Sequence, residues 1–356
     1  MPTILHIVEA FGGGVVTYLN DLTRGQCNNM YKVYIAYGMR YETPANFKQM
    51  FDKRITWIEI KNFRKEIGMH DYKAYKELKY IQKQLKPDIV HLHSSKAGVI
   101  GRLLPESKCT PLFYTPHGFA FLMKNVSPLK RCFYRIVEFA CAKLSHATTI
   151  ACSEGEYREA RKLDKRATFV NNGISPKELQ PYLGASKKKI PPTVCTIGRI
   201  LPQKNPAFFN RIAELLPSVR FVWIGDGELR HLLTAPNITV TGWTDRNEAM
   251  ERLAKADVFL LPSLWEGLPI SLLEAMFLKK LCIVSNVIGN QDVIRTGING
   301  FIADTPEEFA HIIRRVTKGE INIEYITQKA HQEVLEEYNS DLLADKYEVV
   351  YLQSSC

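Results

Sequence analysis

The sequence predicts an α/β protein made of two successive doubly wound units, each a parallel sheet covered by helices on both faces. Short apolar runs of strand length alternate with helical-period segments along the whole chain, the pattern that parallel sheets with helical crossovers impose. The alternation is interrupted from Ser175 to Pro192, where prolines fall at 176, 181, 191 and 192 and a lysine run at 187–189. A proline-rich stretch with little apolar periodicity reads as a linker. A length of 356 residues accommodates two domains of common size.

The first unit is expected to hold seven strands: Thr3–Val8, Lys32–Ala36, Thr56–Ile60, Ile89–His93, Leu112–Thr115, Thr148–Ala151 and Thr168–Val170. The second is expected to hold six, at Thr193–Ile197, Arg220–Ile224, Ile238–Thr241, Val258–Leu261, Cys282–Ser285 and Phe301–Ala303. The domains are accordingly assigned to residues 1–180 and 193–335, joined by the linker 181–192. Residues 336–356 are assigned to a terminal helix returning to the first domain. Open parallel sheets bind ligands beyond the carboxyl ends of their strands, so a cleft between the two units is where chemistry is expected.

With 46% hydrophobic and 24% charged residues the composition is that of a soluble globular protein. No run approaches the roughly 20 apolar residues that cross a bilayer, and no leader is read at Met1–His6, so a cytoplasmic protein is expected. The eight cysteines are scattered without metal or disulfide spacing and are taken as reduced core residues. Charge is unevenly placed. Residues 1–185 carry 28 basic against 16 acidic side chains, and residues 186–356 carry 19 against 21. A basic first half suits an anionic partner such as a lipid surface. Nucleic acid is not expected, because no recognition motif accompanies the charge and the second half would not continue a basic track.

Four segments carry candidate chemistry. Gly12-Gly13-Gly14 lies between the first strand and a helical segment, where free backbone N–H groups and the helix dipole can bind an anion; a plain turn is the alternative. Gly198-Arg199-(x)4-Lys204-Asn205 leaves the first strand of the second unit with two cations five residues apart, one a fork and one a point charge. That pair suits a diphosphate, unless both are solvated surface charges. Glu266-Gly267-Leu268-Pro269-Ile270 follows the apolar strand Val258–Leu261, with Glu266 in a strand-to-helix loop. Glu274 falls on the following helix, either at its cleft edge or in solvent. Finally, His117 sits at the end of a first-unit strand in Tyr114-Thr115-Pro116-His117-Gly118, where an imidazole can donate to a sugar hydroxyl or act near the reacting carbon; a structural histidine is the alternative.

Together these segments, with Ile224-Gly225-Asp226-Gly227-Glu228-Leu229-Arg230 between them, resemble the retaining glycosyltransferase family 4 along nearly the whole chain. The glutamates eight apart in Glu-Gly-Leu-Pro-(x)4-Glu are the most specific part. The resemblance implies the GT-B architecture, two Rossmann-like domains facing across a cleft, and a nucleotide-sugar donor, with uridine diphosphate the expected carrier. By resemblance, Arg199 and Lys204 hold the diphosphate, Glu274 the ribose, and Glu266 lies near the transferred sugar, with backbone amides from Gly267, Leu268 and Ile270. Gly13 and Gly14 would close over the phosphates, and His117 would lie beside the donor sugar. Gly198, Asp226, Gly227 and Trp243 would belong to the donor wall. The chain departs from the pattern at Gly289-Asn290-Gln291-Asp292, where many relatives carry a glycine pair followed by proline and glutamate.

The resemblance further implies front-face chemistry, in which the donor phosphate takes the acceptor proton. With no Asp-x-Asp motif and no metal-spaced ligand cluster, neither metal nor cofactor is expected. The acceptor is expected to be a saccharide or a lipid-linked sugar of surface-polysaccharide assembly. Basic, aromatic segments at 72–86 and 123–135 are candidates for resting on anionic membrane; ordinary helices with a solvated lysine face are the alternative. The rival expectations are a nucleotide-sugar epimerase or hydrolase of the same architecture, and a catalytically silent binding module.

Overall fold

The computed structural model describes residues 1–40, 43, 46–64, 66–105, 110–184 and 190–353. The lysine run at 187–189, Cys109 and Cys356 lie outside the described residues. Two compact units are formed, one from Met1–Asn172 with Ser340–Cys356, the other from Gly173–Asn339.

In the first unit β1 (Thr3–Val8), β2 (Lys32–Tyr37), β3 (Thr56–Glu59), β4 (Ile89–His93), β5 (Leu112–Thr115), β6 (Thr148–Ala151) and β7 (Thr168–Phe169) form one sheet in the order 3-2-1-4-5-6-7. All pairings are parallel; Ile4 of β1 lies opposite both Val33 of β2 and Ile89 of β4. β1 shows why its sequence is an unbroken apolar run: Ile4 and Val8 pack into one core layer and Leu5 and Ile7 into the other. A strand buried on both faces has no solvent side on which polar residues could alternate. His6 interrupts the run and is fully buried.

The terminal helix Leu343–Gln353 packs on the helix Gly14–Asn28. The approach is close enough that a Cβ on Gly25 would stand 2.4 Å from Ala344 Cβ, so glycine at 25 is what admits the helix. Tyr347 and Tyr351 are buried by this packing, and Glu348 accepts hydrogen bonds from Asn29 and Tyr31.

The second unit repeats the plan with β8 (Thr193–Ile197), β9 (Arg220–Ile224), β10 (Ile238–Val240), β11 (Val258–Leu261), β12 (Leu281–Ser285) and β13 (Phe301–Ala303), ordered 10-9-8-11-12-13 and parallel throughout. The strand order reverses at β8/β11, which opens a crevice between the loops that leave these two strands.

The assigned boundaries need correcting. The first unit ends at Asn172 rather than 180, and the second extends to 339 rather than 335. Ile174 N–H donates to Tyr338 O at 2.8 Å, tying the segment after Asn172 to the end of the helix Ile323–Glu337. Pro176 opens a short helix, Pro176–Leu179, at its first turn instead of marking a linker. Cys132 is exposed and is thus an exception to the expectation of core cysteines; Cys27, Cys141, Cys152, Cys195 and Cys282 are buried.

Candidate active site

The second unit assembles its candidate residues where the strand order reverses. The loop after β8 begins at Gly198, whose φ of 139° is open to glycine and strained for other residues. A Cβ there would also meet Lys204 Cε at 3.3 Å. A short 3-10 turn, Pro202–Lys204, swings Lys204 back over the glycine. Lys204 Nζ then donates to Glu266 Oε1 at 2.7 Å, across from the loop that leaves β11. Gln203 completes the connection: its Nε2 donates to Glu266 Oε2 and to Trp265 O, both at 3.1 Å, while its carbonyl accepts from Leu264 N–H at 2.8 Å. Both oxygens of Glu266, a 5% exposed carboxylate, are therefore held. A buried carboxylate needs such compensation, and an ammonium beside it supplies both charge and hydrogen bond.

The glycines of this loop cluster permit close backbone contact. Gly225 has φ 132° and a Cβ on it would fall 2.3 Å from Gly198 O, and one on Gly227 would fall 2.6 Å from Ile200 O. Ile200 N–H donates to Asp226 O at 2.8 Å, so the 198–200 and 225–227 segments lie side by side. The Asp226 side chain turns outward to Arg230, at 3.1 Å. Trp243 is half exposed and follows Gly242, which bridges Gly225. Arg199 is half-buried on the β8 loop. Gly289 backs onto the Glu266 loop, since a Cβ on it would stand 2.1 Å from Gly267 O. The departure from the family pattern at 289–292 thus touches the backbone that carries Glu266.

Glu274 lies on the helix Ile270–Phe277, whose first turn has no side-chain cap. It is 3% exposed, so the solvent alternative for it is wrong. Arg246 holds it, with Nη1 2.7 Å from Oε1. Arg246 went unnoticed in the sequence; the signal was its place directly after the cap Asp245 of the helix Arg246–Lys255, next to the Gly242–Asp245 stretch. Leu268 and Ile270 are buried side chains. Their place at the site is as backbone.

In the first unit Gly13 and Gly14 are exposed at the start of the helix Gly14–Asn28, which has no side-chain cap. The first-turn N–H groups there are those that can face an anion. His117 adopts φ 53° and Gly118 φ 96°. Glu156 fixes that turn, accepting from Gly118 N–H at 2.6 Å and from Cys152 N–H at 2.8 Å. Behind His117 stand residues that spacing did not single out: His93, whose Nδ1 is 3.2 Å from His117 Nε2, then His6, then Gln26. His6, His91 and His93 have ring nitrogens within 4.8 Å of one another, near enough to share an ion. No metal-spaced cluster was expected from the sequence, because the three come from two strands that only the fold makes adjacent. Each of their six ring nitrogens already has a hydrogen-bond partner among the described residues. Burial drives all these imidazoles toward the neutral form, His6 down to about 4 and His117 to about 3.

Residues 12–178 match the model of Glycosyltransferase Family 4, and residues 191–318 that of Glycosyl transferases group 1. The chain is 30% identical over 313 residues, 79% of each chain, to the Escherichia coli UDP-Gal:alpha-D-GlcNAc-diphosphoundecaprenol alpha-1,3-galactosyltransferase. It superposes on sucrose-phosphate synthase from Thermosynechococcus elongatus with a TM-score of 0.83 at 16% identity, covering 99% of both chains. It also superposes on Anabaena Alr3699/HepE in complex with UDP and glucose, with a TM-score of 0.75 at 16% identity, covering 99% of this chain and 100% of that one. These two likenesses concern the fold. With both family models matched in order, and a relative aligned over most of its length, the chain belongs to glycosyltransferase family 4, the group 1 glycosyl transferases, and has the GT-B fold.

Proposed function

We propose that this glycosyltransferase moves a hexose or N-acetylhexosamine from a UDP-sugar to a lipid-linked saccharide, with retention of anomeric configuration and without a metal ion. The observation that carries the reading is the Lys204–Glu266 pair over Gly198, with Glu274 held by Arg246 on the helix that follows. In this reading Lys204 and Arg199 meet the donor diphosphate as it gains charge on departure, stabilising the transition state more than the ground state. Glu274 accepts from the ribose hydroxyls, and Glu266 from the sugar. The UDP assignment draws on the Escherichia coli relative, named for a UDP-galactose donor, and on the Anabaena structure, which holds UDP. The lipid-linked acceptor draws on the same relative, named for a diphosphoundecaprenol substrate.

A surface of the first unit favours an acceptor presented at a membrane. The helix Pro128–Leu144 turns Leu129, Phe133, Ile136, Phe139 and Leu144 outward, all exposed, among the exposed cations Lys124, Lys130, Arg135 and Lys143. An apolar face flanked by cations is the form of a helix that lies in an anionic interface. No helix among the described residues is long and apolar enough to cross a membrane.

The deciding experiment incubates the purified protein with a panel of UDP-sugars and an undecaprenyl-diphosphate-linked N-acetylglucosamine acceptor, with and without chelator, and reads the product linkage by NMR. Acceptor-dependent UDP release that survives chelator, with an α-linked product, is expected. Donor consumption without acceptor would make the protein an epimerase or hydrolase. Tight UDP binding without turnover on any acceptor would leave a binding module.

A further inference from the structure

The histidines behind His117 form a hydrogen-bonded chain whose direction is set at its far end. Gln26 Oε1 lies 2.8 Å from His6 Nε2; His6 Nδ1 lies 2.9 Å from His93 Nε2; His93 Nδ1 lies 3.2 Å from His117 Nε2. The rings follow one another, with centroids 5.2 Å apart for His6 and His93 and 5.4 Å for His93 and His117. His6 and His93 are fully buried, and a neutral imidazole has one donor and one acceptor nitrogen.

An amide oxygen only accepts, so His6 Nε2 carries the hydrogen and His6 Nδ1 is the acceptor. His93 must then donate from Nε2 and accept at Nδ1, and His117 must donate from Nε2. The lone pair left over is on His117 Nδ1, which has no hydrogen-bond partner among the described residues. Gln26 is oriented by its own nitrogen, which donates to Tyr351 Oη at 3.4 Å. The Tyr351 hydroxyl is in turn 2.8 Å from His91 Nδ1, and His91 Nε2 is 2.9 Å from Thr115 Oγ1. Donors and acceptors alternate without conflict along both branches. The shared anchor lies between the helix Gly14–Asn28, which carries Gln26, and the terminal helix, which carries Tyr351.

We propose that Gln26, His6 and His93 are positioning residues that hold His117 as its Nε2-protonated tautomer, so that its Nδ1 accepts a hydrogen bond from a sugar hydroxyl, which keeps its proton. This rests on the reading that His117 faces the sugar, and it makes the imidazole an acceptor from the sugar hydroxyl and not a donor to it. It carries a specificity: a sugar with a hydroxyl at that place satisfies Nδ1, whereas one with deoxy carbon or an O-methyl group leaves the acceptor unpaired. Burial, which keeps each ring neutral below its ordinary titration range, keeps the chain in one protonation state at neutral pH.

The test is long-range 1H–15N correlation NMR of the histidine-labelled full chain, with the His117 signals assigned by their loss in His117→Asn. His117, His93 and His6 are each expected with a protonated Nε2 and a bare Nδ1. In Gln26→Met the three rings mix tautomers and kcat/KM falls tenfold or more, with circular dichroism unchanged. A His117 ring protonated at Nδ1 in the wild type overturns the proposal, as does a Gln26→Met chain that keeps the wild-type pattern. Stoichiometric zinc that removes the His6–His93 couplings would also overturn it, by making the cluster a metal site. Because the NMR reading needs no substrate, the stated tautomer in a protein inactive on every sugar would sink the transferase reading and leave the tautomer assignment standing.

Discussion

Lys204 and Glu266 each make the other's burial tolerable, and that double duty separates stability from catalysis. Removing the lysine leaves a 5% exposed carboxylate with, among the described residues, only Gln203 to hold it, and breaking a buried charge pair costs about 3–5 kcal/mol. Lys204→Ala is therefore expected to lower both the melting temperature and turnover, the latter by roughly 100-fold or more. Adding Glu266→Gln should restore much of the melting temperature, because the neutral amide needs no cation, while turnover stays low. Full recovery of both would show that Lys204 serves the fold alone. At this scale the sequence exposed the polar residues that leave strand ends, Arg199, Lys204, Glu266 and His117, because loop position and residue type are visible in one dimension. It did not expose Arg246, Gln203, Glu156, His93 or His6. Those act chiefly through contacts between segments 20 to 87 residues apart, which no local spacing encodes.

The helix Pro128–Leu144 shows how one element can be fixed on its inner face and free on its outer one. Inside, Glu138 accepts from Arg102 Nη2 at 2.6 Å and from Tyr114 Oη at 2.9 Å, and the guanidinium lies 4.2 Å from the Tyr114 ring centre. That buried, hydrogen-bonded group anchors the helix against β5 and the helix Ser95–Arg102. Since nothing in that anchor involves Phe133 or Ile136, Phe133→Ser with Ile136→Ser is expected to leave the melting temperature within a degree or two. Flotation with anionic vesicles at low salt should fall severalfold. Unchanged flotation would remove the membrane reading of this helix. Strands were the most legible elements, since every expected strand is present with its ends matched to within one residue. Strands buried on both faces leave unmistakable apolar runs. The domain boundary was less legible: prolines at 176 and 181 suggested a linker, but Pro176 begins a helical turn belonging to the second unit.

Across the whole molecule, the sheet order 3-2-1-4-5-6 occurs in both units, and in each the β1/β4 or β8/β11 reversal brings together loops that are far apart in sequence. The fold class was legible because the alternation of strands and helices runs the length of the chain. The burial of a histidine cluster in the first unit was not, because His6 reads as an interruption of an apolar strand until His91 and His93 are placed beside it. That cluster sets an acid limit on stability. His6 has its folded pKa lowered to about 4, and His91 and His93 lie well below the ordinary 6.5, so the unfolded chain binds more protons between these values. Stability from these groups is complete above pH 6.5 and is lost as pH falls from there toward 4, on the order of 3 kcal/mol for His6 alone. Urea unfolding at pH 7 and pH 5 should show the lower midpoint at pH 5, with a smaller difference in His6→Asn; equal midpoints in the wild type would contradict the burial of neutral rings. Thermal unfolding with UDP decides the claim that the second unit's carboxyl edge holds a nucleoside diphosphate. At about a hundred times its dissociation constant UDP should stabilise the protein by roughly 2.7 kcal/mol, raising the melting temperature by several degrees, and Glu274→Ala should abolish the rise. A folded wild-type protein whose melting temperature is unmoved by UDP and by every other nucleoside diphosphate would contradict the claim.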